Sequence, residues 1–400
     1  MRILICSLDA PLPPPNGLRL QLSALMRELG KRHEIRLLAL LMPDQLGRTS
    51  DQGEARLIPP PSRRATHAAL RAHATGLLRR RPRGLDVMAD RLRGPLREEL
   101  ERFDPDVIHV LGQLAALGDE FAGRPAVLAA LDAWHLNYEA KVLAERGLRR
   151  RLASANAKAM RRFEATEYRR FNRVVVVSEQ DASALKGLDP SLEVSVVTNG
   201  VDVERYTAPS GNMRDPDLAL FTGVLNYPPN VTAADLLARR IMPRVRATCP
   251  EARLAIVGRS PPPRVTALGE LEGVEVVGDV PEIRTWLSRA GIYVCPMVSG
   301  SGIKNKLLEA LANGLGCIAT PLATQGLSVT HGREVLVGSD EEELARHMVT
   351  LLKDPNAASA LGRAGQRYVI ENHSWVAVGR AYEHIYREVI GRGNNGRDGP

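Results

Sequence analysis

Aromatic residues make up only 4% of the 400 positions, and only four cysteines occur. Cys6, Cys249, Cys295 and Cys317 are scattered, with no CxxC pair and no metal-ligand spacing. That argues against a disulfide framework or a zinc site, and reduced thiols in a cytoplasmic protein are the simple expectation. No apolar run approaches the ~20 residues that span a bilayer. The opening MRILICSL meets prolines too early for a signal peptide. No Asp-x-Asp follows a predicted strand and no His/Cys cluster occurs, so neither metal nor cofactor is expected.

What is present is globular: 44% hydrophobic and 25% charged residues, at a length suited to two domains. The net charge of +8 is unevenly placed. Residues 1–200 hold 32 basic and 24 acidic side chains, and the remainder holds 22 of each. Two segments carry most of the excess, 62–102 with 11 basic against 5 acidic and 141–173 with 11 against 3. Both read as basic helices with leucines interleaved, the second over about 137–170, while 44–62 reads as irregular. A chain dominated by arginine with so few aromatics offers little base stacking, so no nucleic-acid partner is expected.

Buried-strand runs alternate with helical periodicity throughout. Strands are expected at 2–8, 34–41, 106–111, 125–131, 173–178 and 193–198, then at 218–223, 252–258, 274–278, 292–297 and 316–320. Helices are expected near 18–30, 232–246, 281–289, 340–352, 355–371 and 376–390. Two doubly wound α/β domains follow, 1–198 and 203–375, with a turn-rich joint at Thr198-Asn199-Gly200-Val201-Asp202 and a disordered tail at 391–400.

The densest chemistry lies between Gly291 and Gly326. A strand ends in Ser299-Gly300-Ser301-Gly302, and a helix begins near Lys304 with Leu307, Leu308 and Leu311 on one stripe. Lys304 and Lys306 stand in the first turn, where unpaired amides already carry partial positive charge. A bound phosphate would reverse the sign of that conflict. Glu309 lies one turn on from Lys306, on the same face, and could accept two ribose hydroxyls. The alternative is a serine-capped helix whose Lys306 and Glu309 pair on a solvated surface.

The form GSGIKNKLLEA resembles the donor motif of GT-B glycosyltransferases of the GT4 type, as in bacterial polysaccharide transferases. The resemblance runs over about 1–390, densest in the second half. It implies an α/β GT-B protein, two Rossmann-like domains facing across a cleft, with the last helix crossing back to the first domain. It implies a retaining transfer from a nucleoside-diphosphate sugar to a hydroxyl of a lipid-linked or glycan acceptor, as in exopolysaccharide or other surface glycan synthesis. The donor residues it suggests are Asn16 and Gly17 after the first strand; Gly223, Asn226 and Asn230 in FTGVLNYPPN; Val280, through its backbone beside the base; and Ser301, Gly302, Ile303, Lys304, Asn305, Lys306 and Glu309. Relatives often carry a second glutamate where Ser301 stands. No Lys or Arg lies between Thr222 and Ala238, so Lys304 and Lys306 are expected to neutralise the diphosphate. Asp132 and His135 follow a first-half strand and are the catalytic candidates, with helix capping by Asp132 and a surface His135 as the alternative. His109 reads as a packed strand histidine. The other readings are a sugar-nucleotide epimerase on the same fold and a chain docked on the inner face of an anionic membrane through 62–102 and 141–173.

Overall fold

The computed structural model describes residues 1–11, 17–42, 45, 54–59, 82, 85–121, 123–208, 214–300 and 302–395. The chain divides into two compact units, Met1–Thr198 joined by the chain from Val378, and Asn199–Ala377.

The first unit is built on a parallel sheet. Its strands are β1 (Arg2–Ser7), β2 (Glu34–Leu40), β3 (Glu54–Ile58), β4 (Val107–Leu111), β5 (Ala126–Leu131), β6 (Arg173–Val176) and β7 (Val194–Val196), in the order β3-β2-β1-β4-β5-β6-β7. The central strands are apolar on both faces because helices cover both sides, as parallel sheets require. β4, VIHVL, is buried at every position. The second unit holds β8 (Asp215–Val224), β9 (Arg253–Arg259), β10 (Val274–Gly278), β11 (Ala290–Cys295), β12 (Gly316–Ala319) and β13 (Leu336–Val337), in the order β10-β9-β8-β11-β12-β13. The order reverses between β1 and β4 in one sheet and between β8 and β11 in the other. Ligands of such sheets bind at the carboxyl ends of the strands flanking that reversal.

Four expectations need correction. The stretch expected to be irregular contains β3, which pairs with β2 at the sheet edge. Its sequence is EARLI, and residues 55–58 are only half-buried, so it lacks the apolar run of a central strand. The second basic helix is two helices, Trp134–Ala144 and Gly147–Glu167, separated at Glu145-Arg146. Gly147 takes a φ of 57°, which a glycine adopts without a side-chain penalty. The terminal helix continues through Gly391 to Asn395, so the expected tail is helical that far; 396–400 lie outside the described residues. β13, two residues long, gave no readable signal. Within segment 62–102, described structure is confined to Pro82 and the helix Leu85–Phe103.

The terminal helix, Trp375–Asn395, supplies the first unit with much of its polar packing. Tyr386 Oη lies 2.6 Å from His109 Nδ1, Glu383 lies 2.6 Å from His33 Nε2, and Arg173 donates to Glu388 at 3.0 Å. His109 is fully buried, and burial pushes its imidazole down to about 4. It is a packed strand histidine.

Candidate functional site

In the second unit, glycines line the carboxyl ends of three neighbouring strands. Gly223 of β8 pairs with Gly258 of β9, which pairs with Gly278 of β10. A Cβ on Gly258 would stand 1.7 Å from the Gly223 carbonyl oxygen, so only glycine permits this approach. A Cβ on Gly223 would stand 2.7 Å from Asn230 Nδ2 and 3.0 Å from Lys306 Nζ. The missing side chain is what lets Lys306 reach the end of β8.

The Lys306 ammonium donates to Asn230 Oδ1 at 2.5 Å, lies 4.7 Å from the centre of the Phe221 ring and 3.8 Å from Met297 Sδ. Asn230 is held in turn by donating to the Val224 carbonyl at 2.9 Å. Burial pulls the Lys306 pKa down. Among the described residues no carboxylate forms an ion pair with it. This is a partly buried cation held by neutral groups, a state whose desolvation cost an arriving anion would offset.

Glu309 sits on the next turn of the same helix, Asn305–Ala312. Burial raises its pKa, and a hydrogen bond from Tyr206 partly opposes the rise. Tyr206 comes from the short helix Val203–Tyr206, which Arg205 braces by an ion pair to Glu282 at 3.0 Å. Asn199 of the expected joint donates to Asn305 Oδ1 at 3.4 Å. Neither Tyr206 nor this brace was visible in the sequence, because the contacts join segments about a hundred positions apart.

The helix start bears on the two readings left open above. Lys304 is its N-cap residue, and no side chain caps the first turn. The Lys304 ammonium turns back to the carbonyls of Gly300 at 3.0 Å and Gly302 at 2.6 Å. Lys304 therefore stitches its own loop, and the first-turn amides receive no side-chain acceptor from the N-cap. Gly300 and Gly302 have φ of 101° and 71°, and Gly302 is exposed. Ile303 packs against the core, and Asn226 is exposed beside Tyr227. Val280 follows Asp279, whose φ is 51° and whose carboxylate accepts from the Ser260 amide at 3.0 Å. Ser301 and Asn16 lie outside the described residues, and Gly17 opens the helix Gly17–Leu29. Among the described residues no group of three or more His, Cys, Asp or Glu side chains could hold a metal.

In the first unit, β5 ends in a register shift, and Leu131 takes a φ of 68°, a strained conformation for a branched side chain. Asp132 follows, partly exposed. Burial raises its pKa, and Asp181 adds to the rise. Asp132 caps no helix: the Trp134–Ala144 helix has Ala133 at its N-cap, and the Ala133 amide donates to Asp181 at 2.9 Å. His135 is only 2% exposed, and its Nδ1 lies 2.6 Å from Glu164. Glu164, itself fully buried, also accepts from the Trp134 amide at 2.7 Å and the His135 amide at 3.2 Å. Glu164 is a site residue with little trace in the sequence. Its one signal was a carboxylate on the stripe shared by Met160 and Phe163.

Asp132→Asn is expected to raise the unfolding temperature at neutral pH. The folded carboxyl binds its proton more tightly than the unfolded one, so ionisation favours unfolding as pH rises through the folded pKa. The gain should shrink as pH falls from the folded pKa towards about 4 and vanish below that, where both states are protonated. Melts across this range check it, and a pH-independent difference would remove the electrostatic cause.

The model described as Glycosyltransferase Family 4 matches residues 15–205, and that described as Glycosyl transferases group 1 matches 216–354. A phosphatidyl-myo-inositol mannosyltransferase of Mycolicibacterium smegmatis is 26% identical over 207 residues, 49% of this chain and 52% of that one. A lipopolysaccharide core biosynthesis mannosyltransferase of Rhizobium leguminosarum is 28% identical over 129 residues, 32% of this chain and 36% of that one. The chain thus spans about half the length, or less, of these curated relatives. Among solved structures, sucrose-phosphate synthase of Thermosynechococcus elongatus superposes with a TM-score of 0.68 at 15% identity, covering 98% of this chain and 100% of that one. Anabaena HepE in complex with UDP gives 0.64 at 15% identity, covering 97% and 100%. Matched in both halves by family models and in fold by these structures, the chain belongs to the family 4, group 1 glycosyltransferases and has their GT-B fold of two Rossmann-like domains.

Proposed function

We propose that this chain transfers a sugar from a nucleoside-diphosphate donor to a hydroxyl acceptor, with retention at the anomeric carbon and without a metal ion. The observation that carries the reading is the partly buried Lys306 ammonium, held among the described residues by neutral groups beside Gly223, with the Glu309 carboxylate one turn away. Lys306 takes the diphosphate, together with amides of the uncapped first turn. Glu309 takes the ribose hydroxyls, replacing its bond from Tyr206. Lys304 holds the glycine loop in shape rather than meeting the ligand. The Val280 backbone borders the base.

Asp132, with its raised pKa, acts on the acceptor hydroxyl as a general base. His135, engaged by Glu164, orients the chain that carries Asp132. The names of the curated mannosyltransferases support a glycan or lipid-linked acceptor in surface glycan synthesis. An acceptor held on an anionic membrane belongs to the same reading.

A thermal-shift screen against UDP, GDP, ADP and CDP tests the donor. One nucleotide should raise the unfolding temperature with a concentration dependence that follows mass action, about 2.7 kcal/mol of stabilisation at a hundredfold excess over Kd. No shift with any of the four would overturn the reading.

A further inference from the structure

We propose that the tip of the hairpin formed by the helices Trp134–Ala144 and Gly147–Glu167 is a docking surface for an anionic phospholipid membrane. Leu143, Leu148 and Leu152 enter the headgroup layer, and Arg146, Arg149, Arg150 and Arg151 meet lipid phosphates.

Three observations carry this. First, the hairpin extends beyond its core. Buried residues of the longer helix begin only at Ala157, and the shorter helix buries only His135. Second, the tip exposes large apolar side chains: Leu143 is 81% exposed, Leu148 72% and Leu152 44%. Leucines at i and i+4 share a helix face, so Leu148 and Leu152 lie on one edge, and Leu143 is exposed on the neighbouring helix. Three large apolar side chains exposed between positions 143 and 152 are more than the singly scattered ones of an ordinary solvated surface.

Third, the arginines at the tip differ from most of those near the base. Of the latter, Arg161 pairs with Glu139, Arg169 with Asp189, Arg170 with Glu167 and Arg173 with Glu388, while Arg162 has no ion pair among the described residues. At the tip, none of Arg146, Arg149, Arg150 and Arg151 forms an ion pair among the described residues, and all four are exposed. Glu145 is the one acidic residue between Lys141 and Leu152. Unpaired cations around exposed leucines match a surface with phosphates outside and hydrocarbon beneath. They suit nucleic acid poorly, because leucine gives no stacking surface for a base.

The other segment that the sequence offered does not share this pattern where it is described. In the helix Leu85–Phe103, Arg93 and Arg97 both pair with Glu120, and Arg91 donates to the Pro59 carbonyl. Among the described residues the hairpin tip is therefore the docking element. No helix among the described residues is long and apolar enough to cross a membrane, so contact here would be interfacial.

The inference is independent of the donor site, and its test has no catalytic readout. The full chain is co-sedimented with phosphatidylcholine vesicles, with and without phosphatidylglycerol. Binding should require phosphatidylglycerol and weaken with salt. The Arg149→Gln/Arg150→Gln/Arg151→Gln variant should lose about tenfold or more in partitioning. The Leu143→Ser/Leu148→Ser/Leu152→Ser variant keeps every charge and should also lose binding, which separates insertion from simple attraction. Leu148→Trp should show a blue-shifted emission with anionic vesicles. All these positions are exposed, and circular dichroism checks that each variant is folded. Equal binding to both vesicle types, binding to neither, or a leucine variant that binds like the parent would overturn the proposal. So would preferential binding to duplex RNA that is insensitive to the leucine substitutions.

Discussion

Glu164→Ala is expected to destabilise the first unit by about 3–5 kcal/mol, the range for removing one partner of a buried polar pair. The carboxylate is wholly buried and serves several groups at once: the amides of Trp134 and His135, and His135 Nδ1. The two amides belong to a helix start that no side chain at Ala133 caps. Alanine would strand all of these donors where water cannot replace the acceptor, at about 1–3 kcal/mol for each buried group left unmade. Glu164→Gln keeps one acceptor oxygen and should fall between the parent and the alanine variant. Urea unfolding measures the difference. Because Glu164 lies in the first unit, a folded variant should keep the nucleotide-dependent thermal shift of the second. A loss below about 1 kcal/mol would mean that water or a rearranged neighbour takes over the role.

Lys306→Ala and Glu309→Ala should each weaken nucleoside-diphosphate binding by about 1.5–3 kcal/mol, roughly 10- to 150-fold, as for a lost charged hydrogen bond. The two should differ in their effect on the unliganded protein. Burial lowers the Lys306 pKa and raises that of Glu309, so each charge is already penalised before any ligand arrives. Removing the Lys306 cation also relieves that penalty, although Asn230 Oδ1 loses its donor. Glu309→Ala leaves the Tyr206 hydroxyl without its acceptor. Calorimetry with the nucleotide identified by the screen gives the affinities. Unchanged affinity in a folded Glu309→Ala protein would remove Glu309 from the site. Loss in Lys304→Ala as large as in Lys306→Ala would mean that the loop stitch matters as much as direct contact.

The linear sequence determined the two parallel-sheet units, because each central strand is a short apolar run and each helix keeps its own period. β1, β4, β9 and β11 could be read within a residue or two for that reason. Elements with weak local signals could not. β3 and β13 are edge strands with apolar runs of no more than three residues, too short to read as strands without their pairing partners. The break before Gly147 was hidden because arginine and leucine continue on both sides of it.

The glycine loop, Lys306 and Glu309 were legible for a local reason: loop, helix start and next turn are consecutive, so their spacing fixes their common face. What surrounds them was decided by tertiary structure. Lys306 meets Asn230 because β8 and β11 are neighbours in the sheet and Gly223 carries no side chain. Tyr206 meets Glu309 from a segment a hundred residues away. Lys304 turned out to bind carbonyls of its own loop, a choice made by the N-cap backbone rather than by residue type. His135 turned inward for a similar reason. A strand end in the sequence says that a side chain is near the carboxyl edge of a sheet, but the helix carrying Glu164 packs over it and decides that it is buried.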